Sequence, residues 1–219
     1  MYEGLLLIAQ DTTVKARLFP HDGDEGGPVV TSELIKYRSP GRAGGRRAEG
    51  ITHVSTFDEG DEGWRAAGSI TWSPQGGQEG GYVSDVRPDA TPIIASADAS
   101  AAGVFNGDLQ ARYGGSGAIL SALVRTPESH TAVSFNICGL GVSGWTFSRG
   151  LPTASTEWTR IETTVRYDWT DEEAMAAGWK PNTYAMSFAD TLRHVVYMRV
   201  TGGEDRLDLD DFRVTTTFH

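Results

Sequence analysis

The sequence predicts an all-β protein: an antiparallel β-sandwich of the jelly-roll type with one or two short inserted helices, preceded by an extended N-terminal arm. Three observations carry this expectation. Glycine makes up 27 of 219 residues, well above the roughly 7% of average proteins, which disfavours a helical bundle. From about Ser55 onward, short apolar or alternating runs are separated by glycine, proline and polar turns at regular spacing, the pattern of a sandwich or jelly roll. Only one segment has the full set of helix signals. With 39% hydrophobic and 22% charged residues the chain can bury a real core. It divides into an arm with a basic, glycine-rich linker over 1–54 and a jelly-roll domain over 55–219.

In the arm, a short apolar strand is expected at Gly4–Ala9 and a second alternating piece at Val14–Phe19. The stretch 36–47 then carries Lys36, Arg38, Arg42, Arg46 and Arg47 with three glycines, one proline and no acidic residue. Such a stretch has too little apolar surface to offset its ordering entropy, so two readings stay open. It is a solvated linker, or it is an anchor that straps onto an acidic surface such as the body of a neighbouring copy.

Strands are expected at Gly80–Ser84, Ile93–Ser96, Ala118–Val124, Ala132–Cys138, Trp145–Ser148, Thr159–Tyr167, Val195–Thr201 and Leu207–Thr215. In Thr159–Tyr167, Ile161, Val165 and Tyr167 fall on one face and Arg160, Glu162 and Arg166 on the other, as in a half-buried antiparallel strand. The run from Thr170 through Asp171, Glu172 and Glu173 to Gly178 has an N-cap hydroxyl, an acidic first turn and a terminal glycine, which predicts a helix. A shorter helical turn is expected from Ser187 through Leu192.

Several spaced phrases resemble the laminin B domain (laminin domain IV) and its bacterial relatives with a galactose-binding-like jelly roll. They are Phe57-Asp58-Glu59-Gly60 with Gly63-Trp64, Trp72 with Glu79-Gly80-Gly81-Tyr82-Val83, Phe105-Asn106-Gly107-Asp108 with Tyr113-Gly114-Gly115, Glu157-Trp158-Thr159, and Leu207-Asp208-Leu209-Asp210-Asp211-Phe212. The likeness covers about 56–216. Where the family has Pro-Gly-Gly-Tyr this chain has Glu79-Gly80-Gly81-Tyr82, and the family's Asn before the last valine strand is here Asp211. The resemblance implies a non-catalytic module. It also implies that Asp58 and Asp211, with Asp108, are ligands of a structural calcium, because the first loop and the last strand lie close together in such folds. Calcium takes six to eight oxygens, which clustered carboxylates supply; the alternative is that these carboxylates face water and cap turns. Trp64 and Trp158 sit at motif positions and are expected in the core.

Composition limits the partners. Lys and Arg total 19 against 29 Asp and Glu, a formal charge of −10 that lies entirely in 51–219. An acidic body is poorly suited to nucleic acid, whose phosphates demand clustered cations. The most apolar run, Leu5 to Ala9, stops at Gln10-Asp11, too short for a membrane span and without the flanks of a secretory signal. The single cysteine, Cys138, excludes an internal disulfide and lies in an apolar run, as a buried structural thiol does. The five histidines are scattered and no serine elbow is present, so no enzyme is expected; the alternative that counting leaves open is a glycosidase-type carboxylate pair, which spatial separation sets.

Aromatic side chains on polar, glycine-rich loops are the remaining chemistry, since exposed rings stack on sugars and keep an N–H or O–H for hydrogen bonding. Trp72, Trp145 and Trp179 fit this description, and Tyr82 is tied to a glycine pair; these four are the candidate glycan contacts, the alternative being that the rings pack in the core or in turns. An exterior-type fold with no secretion signal, no disulfide and a basic arm leads to a first expectation of a non-enzymatic structural protein of a bacteriophage virion, a minor tail or capsid decoration protein. The arm would bind other virion proteins or copies of itself, and the jelly roll would touch host surface glycans. The alternative expectation is a carbohydrate-binding accessory module of a secreted adhesin or polysaccharide-degrading protein, placed outside the cell. Fold does not decide between them.

Overall fold

The computed structural model describes residues 15–17, 29–31, 51–78, 80–96, 104–127, 132–141, 143–151, 155–202 and 204–218. The chain falls into two units, Met1–Arg47 and Ala48–His219. In the first, β1 (Lys15–Arg17) pairs antiparallel with β2 (Val29–Thr31), Lys15 opposite Thr31. The expected strand at Gly4–Ala9 and the anchoring residues Lys36, Arg38, Arg42, Arg46 and Arg47 lie outside the described residues.

The second unit is the expected antiparallel sandwich. Its strands open with β3 (Thr52–Ser55), β4 (Trp64–Ala66), β5 (Ile70–Ser73), β6 (Tyr82–Arg87) and β7 (Ile93–Ser96). After helix α1 (Leu109–Tyr113) come β8 (Gly117–Thr126), β9 (Val133–Cys138), β10 (Gly144–Arg149) and β11 (Ser155–Arg166). Helix α2 (Asp171–Ala176), β12 (Trp179–Pro181), α3 (Phe188–Arg193), β13 (Tyr197–Gly202) and β14 (Asp205–Thr217) complete it. Sheet one has the order β11-β8-β14-β6-β5, with β3 also pairing β14; sheet two has the order β12-β10-β9-β13-β7-β4. No helix among the described residues is long and apolar enough to cross a membrane.

Local chemistry sets the helix ends. Thr170 accepts from the Glu173 N–H while the Glu173 carboxylate accepts from the Thr170 N–H at 2.8 Å, a reciprocal cap that satisfies donors the first turn leaves free. Ser187 caps α3 through the Asp190 N–H. Asp108 caps α1, accepting from Ala111 N–H at 2.9 Å; this helix and the three-residue strands β4 and β12 are too short for periodicity to show.

Period-two alternation fills the core. On β8, Ala118, Leu120, Ala122 and Val124 face inward, and on β14, Leu207, Leu209, Phe212 and Val214 do the same. The step from Leu209 to Phe212 breaks the alternation, and a bulge between Asp210 and Arg213 absorbs it, with Asp211 at φ 50°. Phe212 lands against Trp64 (ring centroids 4.9 Å), Phe105 (5.1 Å) and Phe135 (6.0 Å).

A second aromatic cluster corrects an expectation. Trp145 and Trp179 are 1% and 0% exposed, not loop platforms. Both pack on Phe188 of α3, at 5.1 and 5.5 Å, and their indole N–H groups donate to the carbonyls of Met186 and Thr164. Trp145 lies on the expected strand Trp145–Ser148, seen as β10, whereas the turn-like sequence around Trp179 hid β12; both rings face inward.

Two outcomes test this packing. Phe212→Ala removes the ring shared by three aromatic neighbours and is expected to cost about 3–5 kcal/mol, read as a lower urea midpoint with an unchanged slope. Asp85 of β6 is fully buried, its Oδ2 accepting from Ile93 N–H at 2.8 Å, and burial pushes its carboxyl above the usual 3.8. A raised folded value means its contribution is full below the ordinary value and is lost as pH rises through the folded one. As pH rises from the ordinary value through the raised one, the wild type should therefore lose stability relative to Asp85→Asn in paired thermal melts; parallel curves would refute this.

Candidate functional site

Three of the phrases singled out in the sequence, those at 57–58, 72–81 and 210–211, meet at one junction beside sheet one. Glycine is required there: a Cβ on Gly80 would overlap the Asp58 carboxylate, and one on Gly81 the Phe57 carbonyl. The loop before β6 thus packs directly onto 57–58, and Trp72 Nε1 donates to the Phe57 carbonyl at 2.7 Å. Asp210 accepts from Gln78 N–H at 2.7 Å. Asp211 is held by Arg213 Nε at 2.7 Å and Arg160 Nη2 at 3.1 Å. A cavity of about 110 Å³ lies among Asp58, Gln78, Arg160, Asp210, Asp211 and Arg213. Burial, with the charges of Asp211 and Asp58 adding to it, pushes the Asp210 carboxyl up.

Beside this junction the outer face of sheet one is also closed on itself. Asp208, fully buried, accepts from Arg125 Nε and Arg206 Nε, each at 2.8 Å, and from Ser84 Oγ at 2.8 Å. The Arg125 guanidinium lies over the rings of Trp158 (4.5 Å) and Tyr82 (4.9 Å), and Trp158 Nε1 donates to the Gly76 carbonyl at 3.0 Å. Cation and rings attract through the ring quadrupole, so the protein itself covers these aromatic faces.

The outer face of sheet two is organised differently. Antiparallel register aligns Lys180 (β12), Thr146 (β10), Asn136 (β9), Arg199 (β13), Ala95 (β7) and Arg65 (β4) in one row across all six strands, and cross-strand partners share a face. A cavity of about 240 Å³ opens over this row, lined by Asn136, Cys138, Thr146, Asn182, Tyr197 and Arg199 among others. Thr146 Oγ1 donates to Asn136 Oδ1 at 2.8 Å and Asn136 Nδ2 to Thr201 Oγ1 at 3.1 Å. Arg199 Nε is buried with no hydrogen-bond partner. Burial pushes the Cys138 thiol up despite the nearby Arg199 charge, which disfavours the thiolate at the cavity floor. The loops that supply Gly141 and Asn182 to the cavity also carry Leu140 and Tyr184, exposed to 56% and 71%.

Of the four expected glycan residues, Trp145 and Trp179 are core. Tyr82 stands on sheet one with its ring under Arg125. Trp72 keeps 38% of its surface exposed but pairs with Val83 on the core-facing side of edge strand β5, so the structure does not bring the set together. Trp158, expected in the core, instead lies partly exposed on the outer face beside Tyr82 (5.6 Å). For the calcium set, Asp58 and Asp211 do share the junction cavity. Asp108 does not line it: its carboxylate caps α1. Among the described residues no group of three or more His, Cys, Asp or Glu is placed to hold a metal ion. The sheet-two residues Asn136, Tyr197 and Arg199 were missed. Their signal is the polar positions of Val133–Cys138 and Tyr197–Gly202 at period two, but only register joins the two strands.

No family model matches the chain, and no curated protein matches it. Among solved structures it is similar to a family 11 carbohydrate-binding module from Clostridium thermocellum in complex with a β-1,3-1,4-mixed-linked tetrasaccharide, at 11% identity and TM-score 0.48, covering 79% of this chain and 99% of that one. The C-terminal family 22 carbohydrate-binding module of Clostridium thermocellum Xyn10B is similar at 10% identity and TM-score 0.48, with 78% and 97% covered. An exo-β-agarase is similar at 12% identity and TM-score 0.49, with 75% of this chain against 25% of that one.

Asp208→Asn keeps the size of the side chain but leaves the guanidiniums of Arg125 and Arg206 without their shared anion. The expected cost is about 1.5–3 kcal/mol, measured by urea unfolding, with a change in near-ultraviolet circular dichroism as Arg125 releases Trp158.

Proposed function

We propose that the Ala48–His219 unit is a non-catalytic carbohydrate-binding module whose sugar contacts lie on the outer face of sheet two. The observation that carries the reading is the cavity of about 240 Å³ over the Asn136–Arg199 row. It combines amide, hydroxyl and guanidinium groups with one unmatched buried donor, and exposed Tyr184 and Leu140 flank it. Sugar rings present hydroxyls that both donate and accept, together with apolar faces, and a concave site with convergent polar groups and an aromatic at its edge suits them.

On sheet one the polar groups already satisfy one another. Asp211 is engaged by two guanidiniums and Asp210 by a backbone N–H, which supports a structural role for these carboxylates over an acid–base pair. The reading as a virion attachment protein rests on an exterior-type fold, the missing secretion signal and disulfide, and the basic arm at 36–47, which lies outside the described residues. The sheet-two cavity, with its convergent polar groups, supports the carbohydrate-binding module instead.

Affinity electrophoresis against a panel of soluble plant, algal and bacterial polysaccharides tests the site. Tyr184→Ala and Asn136→Ala should each weaken binding about tenfold, with folded thermal transitions retained, and Trp72→Ala should bind like wild type. Loss of binding in Trp72→Ala or Trp158→Ala, with Tyr184→Ala unaffected, would overturn this placement.

A further inference from the structure

The charge on the two outer faces differs in a way that the total charge conceals. On sheet one, Arg125 and Arg206 share Asp208, and Arg160 and Arg213 share Asp211. The sheet-two row holds Lys180, Arg199 and Arg65 and no carboxylate. The outward strand positions above and below the row are Gly144, Ser148, Ser134, Cys138, Tyr197, Thr201 and Ile93. None of these is acidic. Among the described residues, none of the three cations forms a salt bridge. In a chain of net charge −10, a face with cations and no counter-charge has a positive local potential that favours an anion.

Register fixes the spacing. With neighbouring strands about 4.8 Å apart, Arg65 lies two strands from Arg199 and Lys180 three strands from it on the other side. The cations are therefore roughly 10 and 14 Å apart along a line that crosses the strands. This separation is too great for one small anion to bridge all three, and it fits a polymer with repeated negative groups lying across the sheet. Arg199 at the centre lines the cavity and has a buried Nε without a partner. Its planar fork matches the oxygens of a carboxylate or sulfate ester.

We infer that the sheet-two site selects an anionic polysaccharide, one bearing carboxylate or sulfate-ester groups, with Arg199 as the specificity-determining contact and Arg65 and Lys180 as flanking charges. This rests on the carbohydrate-binding reading of the same face. The neutral-sugar alternative leaves the three cations and the unmatched Arg199 donor without a role.

The test compares the full chain with polygalacturonate, with the same polymer after carboxyl reduction, and with a sulfated galactan, by isothermal titration at low and high salt. Polygalacturonate or the sulfated galactan should bind about 10- to 100-fold more tightly than the reduced polymer, with the advantage falling as salt screens it. Arg199→Gln should erase that advantage, Arg199→Lys should restore only part of it, and Lys180→Gln and Arg65→Gln should each reduce it while leaving the thermal transition unchanged. Whichever charged polymer shows the Arg199-dependent advantage identifies the anionic group. Equal binding of charged and reduced polymers, both weakened by Tyr184→Ala, overturns the anionic selectivity and leaves the sugar site standing. Binding to none of them, or binding indifferent to Tyr184→Ala, overturns the site itself.

Discussion

The one-residue bulge in β14 between Asp210 and Arg213 is the constraint on which the rest of the sandwich depends. Strict alternation from Leu207 and Leu209 would send Asp211 into the core and turn Phe212 outward, because a shift of one residue exchanges the two faces of a strand. The extra residue reverses this, and Phe212 joins Trp64, Phe105 and Phe135. Aspartate tolerates the positive φ that the bulge demands better than a branched residue would. At the same place β14 changes partner on one side, from β6 to β3. The bulge leaves two adjacent carboxylates facing out of the core, and their compensation organises the neighbourhood. Gln78 brings in the loop before β6, Arg160 brings in β11, and Arg213 closes the pair. The glycines at 80 and 81 are the steric counterpart of that electrostatic clasp.

This closure explains why the two outer faces differ in what they can do. A guanidinium that shares a buried carboxylate and lies over two rings is held by interactions that a ligand would have to break. Sheet one therefore uses its arginines as structure. On sheet two, among the described residues, the row of cations holds no carboxylate and forms no salt bridge, and the hydrogen-bonded chain Thr146–Asn136–Thr201 holds the floor without consuming Arg199. A preorganised floor with an open charge lowers the ordering cost of binding.

Much of the fold was legible. Alternation located the long strands, and the hydroxyl caps at Thr170 and Ser187 marked two of the helices, because both signals are local. Several of the phrases resembling laminin B were legible too, and in the structure they pack at the junction around Asp58, Gly80 and Asp210. Aromatic residues were the weakest guide. Trp145 and Trp179 lie in glycine-rich, turn-like sequence but are drawn under α3 by Phe188, whereas Trp158 at a motif position ends on the outer face. A ring's exposure depends on what the opposite sheet and the covering helices place against it.

By itself, then, the sequence determined the β-sandwich class, the acidity of 51–219 and the apolar setting of Cys138, since composition, periodicity and net charge need no knowledge of distant partners. Only the tertiary structure decided which arginines are neutralised and which stay open. Arg65, Asn136, Thr146, Lys180 and Arg199 are separated by up to 134 residues in the chain and come into one row through strand register alone. Register is a long-range property, set by the bulge, the core layers and the order of strands. No window of sequence contains it.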